Sequence, residues 1–524
     1  MGAPTRILLV VAGLLVAAPA WAQAEEEAPA EGEIDAPAEP PPKPRKLKKA
    51  LSQLKSKEWP LATLSLHAVL KDDSAAYYHP QIRYYLAYAL EQMGLNYAAL
   101  EEYNRYLGGA APDDDNLPKA VKRSVSLART MDAGWLIGEG LSKIDTSNVT
   151  KGYQGPAMYW VGKFHYLDGN YASARAFLRL VPKNTEDYAR ARMLEGIALV
   201  ASGKPVEAVA PLAAATKAAK DDPNAQDVWE VANLNLARSY YSLGNFERAI
   251  EHFEKTPRSS PLWFESLYEA AWGYFRLGRF SGALAHLQTV DSPFFEGTYH
   301  PDATLLRILI MYYLCKYIDG QEMLNDFTER HYAIEKELKE ALGQAEANPD
   351  KLFTSLYAWK VDRRAAGIKL PTPVKQFFAT DEDLVRIGDY LNGLAAERER
   401  LGMFKSGWQK SALRSELEAA LDARKAESMS TKGKQALSRL RSMHTALQLH
   451  LGSSELYKVE MITAQKDIYD AAFSGRLRDK VAARKVDPTV PEGYHFWPFQ
   501  GEYWVDELGW YEVNTINECL AIQK

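Results

Sequence analysis

Apolar and small side chains recur in the middle of the chain with a spacing that predicts paired helices. The stretches 159–181, 234–257 and 268–290 share one order of residue types. A small residue is followed three positions later by an aromatic residue or His, then by Gly, by an aromatic two positions on, and by Ala three positions further. Positions three and four apart lie on one helix face, and Gly commonly ends a helix. The pattern therefore predicts successive helix–turn–helix units.

The size of each repeated residue indicates its mechanical role. A residue that adopts positive φ permits a tight turn after each first helix, and these residues are Gly169, Gly203, Gly244 and Gly278. Small residues let neighbouring helices approach closely, and they are Gly162, Gly196, Ala237 and Ala271 in first helices and Ala174, Ala208, Ala249 and Ala283 in second helices. The intervals 169–203 and 244–278 are 34 residues each, a period typical of stacked repeats.

This arrangement resembles the tetratricopeptide repeat (TPR) family over about residues 47–330. Weaker copies flank the four central units. One contains Gly94, and another places Cys315 at the Gly position, with Arg307 where the family has an apolar residue. Trp59, Ala62 and Leu66 indicate the second helix of a degenerate first unit, and residues 113–150 fit the pattern only loosely.

The resemblance implies a right-handed helical solenoid whose first helices line a concave groove. The exposed groove positions that it implies are Tyr159, Lys163, Tyr166, Arg238, Tyr241, Trp272 and Phe275. A mixture of aromatic and cationic side chains suits the binding of an extended or helical peptide. The alternative is that several of these side chains pack against the next unit instead.

The hydrophobic period changes after about residue 331. Leucines and other large apolar residues approach heptad spacing between 384 and 408, and leucines again repeat at three and four between 437 and 451. This pattern predicts two long helices that form an antiparallel hairpin, with a turn near Gly433 and an interruption near Gly452. The alternative is a coiled-coil arm that pairs with a partner protein.

The last 38 residues, 487–524, are rich in aromatic side chains, including Trp497, Trp504 and Trp510. Because terminal repeats expose an apolar face, we expect this tail to cap the array or to enter its groove. Contact with a glycan is the alternative. Cys315 and Cys519 are the two cysteines of the chain, and they either pair or remain free thiols.

The N-terminus has the pattern of an export signal. Arg6 precedes the apolar run 7–18, and Ala20-Trp21-Ala22 provides small residues at a cleavage site. Residues 23–46 are rich in Ala, Pro and acidic residues and predict a disordered tether. We therefore expect cleavage near Ala22 and an exported mature protein with no membrane-spanning segment.

Charge and motifs narrow the functional classes. The formal net charge of -5 argues against a dedicated nucleic-acid binder. The sequence contains no HExxH, no pair of CxxC motifs, no GxSxG and no phosphate-binding GxxxxGK[ST]. We therefore predict no catalytic residue, no metal site and no cofactor.

The sequence thus predicts an all-α protein in five parts: a signal peptide (1–22), a tether (23–46), a TPR-like solenoid (47–330), a long helical hairpin region (331–486) and an aromatic tail (487–524). The predicted function is a non-enzymatic periplasmic scaffold for other envelope proteins, peripheral to the outer membrane. The overall plan resembles periplasmic TPR proteins of envelope machines in myxobacteria, including the gliding-motility apparatus. Two alternatives stay open: an outer-membrane or cell-wall assembly factor whose tail touches peptidoglycan, and a glycan-cleaving enzyme that uses Glu502 or Asp506.

Overall fold

The structure is a computed structural model that describes residues 41–145, 149, 151–295, 298–379, 382–475 and 499–519. The predicted signal peptide, nearly all of the tether and Trp497 lie outside these residues. Every regular element in the described ranges is helical, which confirms the all-α prediction.

Eight helix pairs follow one another in the described residues. They are α1 (Arg45–Lys55) with α2 (Trp59–Leu70), α3 (His79–Gln92) with α4 (Asn96–Leu107), α5 (Leu117–Thr130) with α6 (Gly138–Ser142), α7 (Lys151–Leu167) with α8 (Tyr171–Leu178), α9 (Tyr188–Ala201) with α10 (Pro205–Ala219), α11 (Gln226–Ser242) with α12 (Phe246–Phe253), α13 (Trp263–Arg276) with α14 (Phe280–Val290), and α15 (Pro301–Tyr313) with α16 (Tyr317–Ala347). We number these pairs as repeats 1 to 8. Repeat 8 forms although it contains Arg307, because that side chain pairs with Asp291 at 2.7 Å.

One backbone corner joins the two helices of every repeat. Its residue has a φ between 46° and 77°, and the eight corner residues are Lys57, Gly94, Asp132, Gly169, Gly203, Gly244, Gly278 and Cys315. In each case the next amide donates a hydrogen bond of 2.8–3.0 Å to the carbonyl five residues earlier. This is the Schellman bond that satisfies a carbonyl left free at a helix end. The four glycines predicted as equivalent corners are therefore confirmed.

Small residues lie where the two helices of a repeat cross. A Cβ at Gly162 would lie 2.5 Å from Cγ of Leu178, and a Cβ at Gly196 would lie 2.4 Å from Cγ of Leu212. The predicted alanines of the second helices are fully buried. Close packing of this kind leaves no room for a larger side chain without displacement of a helix.

Five further helices follow the repeats: α17 (Pro349–Val361), α18 (Thr372–Ala379), α19 (Glu382–Leu401), α20 (Ser406–Gln409) and α21 (Ala412–Phe473). The predicted turn near Gly433 and the interruption near Gly452 are wrong, because α21 runs through both. A Cβ at Gly433 would lie 2.6 Å from the carbonyl oxygen of Pro349, so glycine here permits close approach of α17. The hairpin turn lies instead between α19 and α21, whose side chains Arg398 and Asp422 pair at 2.8 Å.

The long helix α21 connects the two ends of the repeat array. Near its start, Glu416 pairs with His67 of α2 at 2.9 Å and with Lys71 at 3.2 Å. Further along, His444 pairs with Glu335 of α16 at 2.9 Å, and Met461 packs on Gly320 of α16. The predicted boundary at 330 falls inside α16. Residues of α16 and of the C-terminal helices share one hydrophobic core, so the last repeat and these helices form one packed unit.

A buried carboxyl group fastens the C-terminal helices to repeat 2. Glu397 of α19 accepts hydrogen bonds from the backbone amides of Tyr97 (2.8 Å) and Ala98 (2.9 Å) in the first turn of α4. The partial positive charge of a helix N-terminus favours a carboxylate in this position. Burial is the larger effect, however, and raises the pKa of Glu397 to about 7.

The raised pKa of Glu397 predicts a pH-dependent contribution to stability. Because the folded-state pKa of about 7 exceeds the ordinary 4.5, this stabilisation is complete below about pH 4.5 and is lost as the pH rises through 7. We expect the free energy of unfolding of the wild type, relative to Glu397→Gln, to fall between pH 4.5 and 7 by on the order of 3 kcal/mol at most. Urea unfolding at several pH values measures this difference, and parallel pH curves for the two proteins would contradict it.

Candidate partner-binding surface

The first helices of repeats 6 to 8 are joined to each other by polar side chains. Arg238 of α11 donates hydrogen bonds to Glu269 of α13 at 2.9 and 3.0 Å, and it also contacts Glu265. Tyr268 of α13 donates to Asp302 of α15. Burial raises the pKa of Glu269, and the adjacent guanidinium opposes that shift. These contacts connect neighbouring repeats, so Arg238 is already occupied by carboxylates of this chain.

The structure corrects part of the predicted groove. Tyr159 and Phe275 were expected to be exposed, but each is 8% exposed and packs inside the array. Tyr159 lies against Trp160, with ring centroids 5.1 Å apart, and Phe275 packs on Phe280 and Tyr313. Burial raises the pKa of Tyr159 to about 12. The expectation of exposure is wrong for these two residues because the next repeat covers them.

The other predicted groove residues are partly exposed and engaged in local contacts. The ammonium group of Lys163 lies 5.0 Å from the ring centroid of Trp160. Tyr166 packs on Tyr171 and Tyr241 on Phe246, at centroid separations of 5.7 and 5.2 Å. Trp272 donates its indole hydrogen to Tyr268 at 2.8 Å. These contacts agree with the alternative, in which several of the predicted groove residues pack within the array. Binding of a partner by these residues stays a prediction.

A basic pocket lies between the first helices of repeats 2 and 3. Its volume is about 550 Å³, and its lining comes from α3 and α5: Tyr84, Glu91, Lys119, Lys122, Arg123, Ser126, Leu127 and Thr130. Tyr84 forms part of the buried wall, and its pKa is raised by burial. The hydrogen-bond donors of the pocket are one serine hydroxyl, one threonine hydroxyl and the three cationic side chains.

The cations of this pocket differ in how firmly they are held. Arg123 pairs with Glu91 at 3.1 Å and stacks 4.2 Å above the ring of Tyr88. Glu91 in turn accepts a hydrogen bond of 2.7 Å from the hydroxyl of buried Tyr103. Lys119 and Lys122, by contrast, form no ion pair with any carboxylate in the described part of the chain. The pocket therefore carries excess positive charge beside a fixed guanidinium.

The described part of the aromatic tail, residues 499–519, lies along repeat 7 and reaches the corner of repeat 8. The amide of Gly509 donates to Thr289 of α14 at 2.9 Å, and the amide of Glu518 donates to the carbonyl of Leu314 at 2.9 Å. Cys519 forms a disulfide with Cys315, the corner residue of repeat 8, with the two Cα atoms 4.9 Å apart. Residues 499–519 are extended or form turns rather than a helix.

The described residues of the tail pack on the array through smaller apolar side chains, whereas two of the predicted tryptophans face solvent. Trp504 and Trp510 are 59% and 61% exposed, whereas Leu508 is buried and Val513 packs on the core of repeats 7 and 8. The end of the array is covered by α21, where Tyr457 packs against that same core. Both α21 and the described part of the tail therefore contact the core of repeats 7 and 8, and the capping role of the tail stays a prediction.

No group of three or more His, Cys, Asp or Glu side chains in the described residues could hold a metal ion. Glu502 and Asp506 do not share a helix, and the carboxylate of Glu502 accepts a hydrogen bond from the amide of Gln500 at 3.0 Å. Across the same residues, no helix is both long and apolar enough to cross a membrane.

Residues 234–293, which include most of repeats 6 and 7, match the sequence model of the tetratricopeptide repeat family. No curated protein sequence is significantly similar to the chain. The corner residues, the helix pairing and this match agree on a TPR-type solenoid. None of these findings supports the narrower resemblance to a myxobacterial protein.

Three solved structures are similar to parts of the chain. A tetratricopeptide repeat protein from Parabacteroides merdae is 16% identical, with 51% of this chain and 97% of that chain covered and a TM-score of 0.24. The apo form of RapI is 13% identical, with coverages of 65% and 97% and a TM-score of 0.31. The TPR domain of P58(IPK) is 13% identical, with coverages of 73% and 98% and a TM-score of 0.18. These low scores carry no argument about function.

Proposed function

We propose that this TPR-type protein is a non-enzymatic scaffold that binds an acidic segment of a partner protein in the basic pocket of repeats 2 and 3. TPR-type arrays generally serve as surfaces for protein–protein interaction. The observation that carries the proposal is a pair of lysines beside Arg123, Lys119 and Lys122, that form an ion pair with no carboxylate among the residues the structure describes. Excess positive charge in a concave site attracts a partner of opposite charge.

The geometry of the pocket supports an extended peptide with acidic side chains. The three cations lie on one face of α5, because Lys122 and Arg123 follow Lys119 by three and four positions. Arg123 is held in place by Glu91 and Tyr88, and an immobilised guanidinium loses little entropy when it binds a carboxylate. Tyr84 and Leu127 supply apolar wall for the carbon chain of a glutamate.

The proposal extends to location. The pattern of residues 1–22 supports export and cleavage near Ala22, and a periplasmic position among the proteins of an envelope machine follows from that. A disulfide such as Cys315–Cys519 persists in an oxidising compartment, which also supports export. N-terminal sequencing of the protein from its native cells tests the location: we expect a start at Gln23, and an intact N-terminus would contradict export.

A cell-wall assembly factor is the second candidate, and one observation favours it. Trp504 and Trp510 are exposed, and a cavity of about 560 Å³ between the tail and α13 is lined by Trp263, Val505 and Asp506 among others. Exposed aromatic faces with neighbouring carboxylates suit sugars. Retention of the protein on purified peptidoglycan distinguishes this candidate from the peptide-binding scaffold.

The peptide-binding function can be tested by charge reversal in the pocket. We expect Lys119→Glu with Lys122→Glu to weaken binding of a labelled Asp- and Glu-rich peptide at least tenfold, because two cations of the pocket are replaced by charges of the same sign as the peptide. Fluorescence anisotropy measures the affinity, and the same peptide with Asn and Gln should bind weakly to the wild type.

The matched control carries the same change of charge elsewhere. Lys217→Glu with Lys220→Glu alters two exposed lysines at the end of α10 in repeat 5 and should leave the affinity unchanged. Equal weakening by both double variants would show a general effect of net charge and contradict a specific pocket. Unchanged binding in the pocket variant would contradict it as well.

A further inference from the structure

The outward face of α21 carries a regular heptad seam in its last seven turns. From Gln448 to Phe473, exposed residues recur at alternating intervals of four and three. The inner positions of this outer seam are Gly452, Glu455, Val459, Ile462, Lys466 and Tyr469. Alternation of four and three is the spacing that keeps one stripe facing a partner helix along a coiled coil.

Four of the eight seam positions carry large apolar side chains that face solvent. Val459 is 61% exposed, Ile462 48%, Tyr469 62% and Phe473 99%. The adjacent face of the same helix is already covered, because Leu447, Leu451 and Met461 are buried within the core shared with repeat 8. Leu449 and Leu456, both more than half exposed, flank the seam and widen it. Contiguous exposed apolar surface of this kind marks an interaction site.

The order of residues in the outer seam is self-complementary when a second copy runs in the opposite direction. With a two-fold axis between residues 460 and 461, Val459 of one copy faces Ile462 of the other, and Glu455 faces Lys466. Tyr469 then faces Gly452, where a Cβ would have no atom within 4 Å, so the ring has room. Each of these pairs occurs twice in the dimer.

A parallel arrangement of two copies lacks this complementarity. Each seam residue would then face its own equivalent, which brings Lys466 against Lys466, Glu455 against Glu455 and Tyr469 against Tyr469. Like charges at facing positions are unfavourable and commonly determine orientation in coiled coils. The seam spans 26 residues, about 39 Å of helix at 1.5 Å per residue, which is nearly four heptads.

We propose that α21 pairs in antiparallel orientation with α21 of a second copy of this chain, through the outer seam. Charge complementarity and the match of Tyr469 to Gly452 select a second copy as the occupant. Seam residues follow directly after residues of the face that packs on repeat 8, as Gly452 follows Leu451 and Ile462 follows Met461, so the seam runs along the exposed flank of α21. The dimer would then contain two basic pockets, one in each copy, joined through the paired α21 helices.

Sedimentation equilibrium of the mature full-length protein tests the proposal. We expect a dimer, and we expect Val459→Glu with Ile462→Glu to raise the dissociation constant at least tenfold, because four carboxylates would meet at the centre of the seam. The control, Val206→Glu with Ile318→Glu, changes two residues of 67% and 61% exposure off the seam and should remain dimeric. Circular dichroism should show the same helical content in all three proteins.

Charge reversal tests the register. Glu455→Lys and Lys466→Glu should each weaken self-association, because one variant brings Lys against Lys and the other brings Glu against Glu. An equimolar mixture of the two variants should recover the dimer, because both facing pairs are then opposite in charge. Failure of the mixture to recover the dimer would overturn the register.

Orientation is tested by cysteine crosslinking. In the antiparallel dimer, the double variant Glu455→Cys with Lys466→Cys should form a crosslink between copies, whereas Lys466→Cys alone should not. A crosslink through Lys466→Cys alone would indicate parallel helices and overturn the proposal. A monomer at all concentrations, or a dimer that Val459→Glu with Ile462→Glu leaves unchanged, would also overturn it.

Discussion

The packing of α21 against both ends of the repeat array is the interaction on which the rest of the structure depends. A stacked repeat buries its apolar face only against its neighbours, so the first and last repeats of an open array each leave one face uncovered. Here α2 at one end and α16 at the other contact the same long helix, through Glu416 and His444 among others. One hydrophobic core consequently includes repeats 1 to 4, much of repeat 8 and the C-terminal helices, whereas repeats 5 and 6 depend on smaller clusters.

Much of the repeat array could be predicted from the sequence, because its geometry depends on residues that have few substitutes. A corner with positive φ favours glycine, and a close helix crossing requires Gly or Ala, so both features leave a readable period. Repeats 1 and 3 lack the glycine that marks the corner in the sequence, because Lys57 and Asp132 adopt the left-handed conformation there. Those side chains give no signal of a turn, although Asp tolerates this conformation better than most residues.

The packing between distant parts of the chain could not be predicted. The sequence pattern at Gly433 predicts a helix break, but Gly433 lies inside α21. Glycine is suited to this position because the backbone of Pro349 approaches the helix closely there. The same limit applies to the candidate site. The spacing of Lys119, Lys122 and Arg123 is visible in the sequence, but the sequence does not show which helices surround them or that, among the described residues, Arg123 alone of the three pairs with a carboxylate. Conversely, Arg238 has the type and position of a groove residue, and the structure shows it paired with Glu269 of the next repeat.

The division of the core suggests how the protein serves as a scaffold. The basic pocket belongs to the part of the array that α21 and Glu397 hold in place, so its cations are presented on a preformed surface. A preformed surface binds with a smaller entropic cost than one that must first become ordered. Repeats 5 and 6 bury their apolar residues mainly against each other, and they provide the part of the array most able to adjust.

Native-state hydrogen exchange of the full-length protein tests this closed arrangement most directly. If α21 and the end repeats share one core, the amides of α4 and α16 should exchange by the same high-energy opening as those of α21, and the amides of α10 and α12 should exchange faster. Equal protection of all repeats, or slower exchange in α10 and α12 than in α4, would contradict the claim that the long helix joins the two ends of the array.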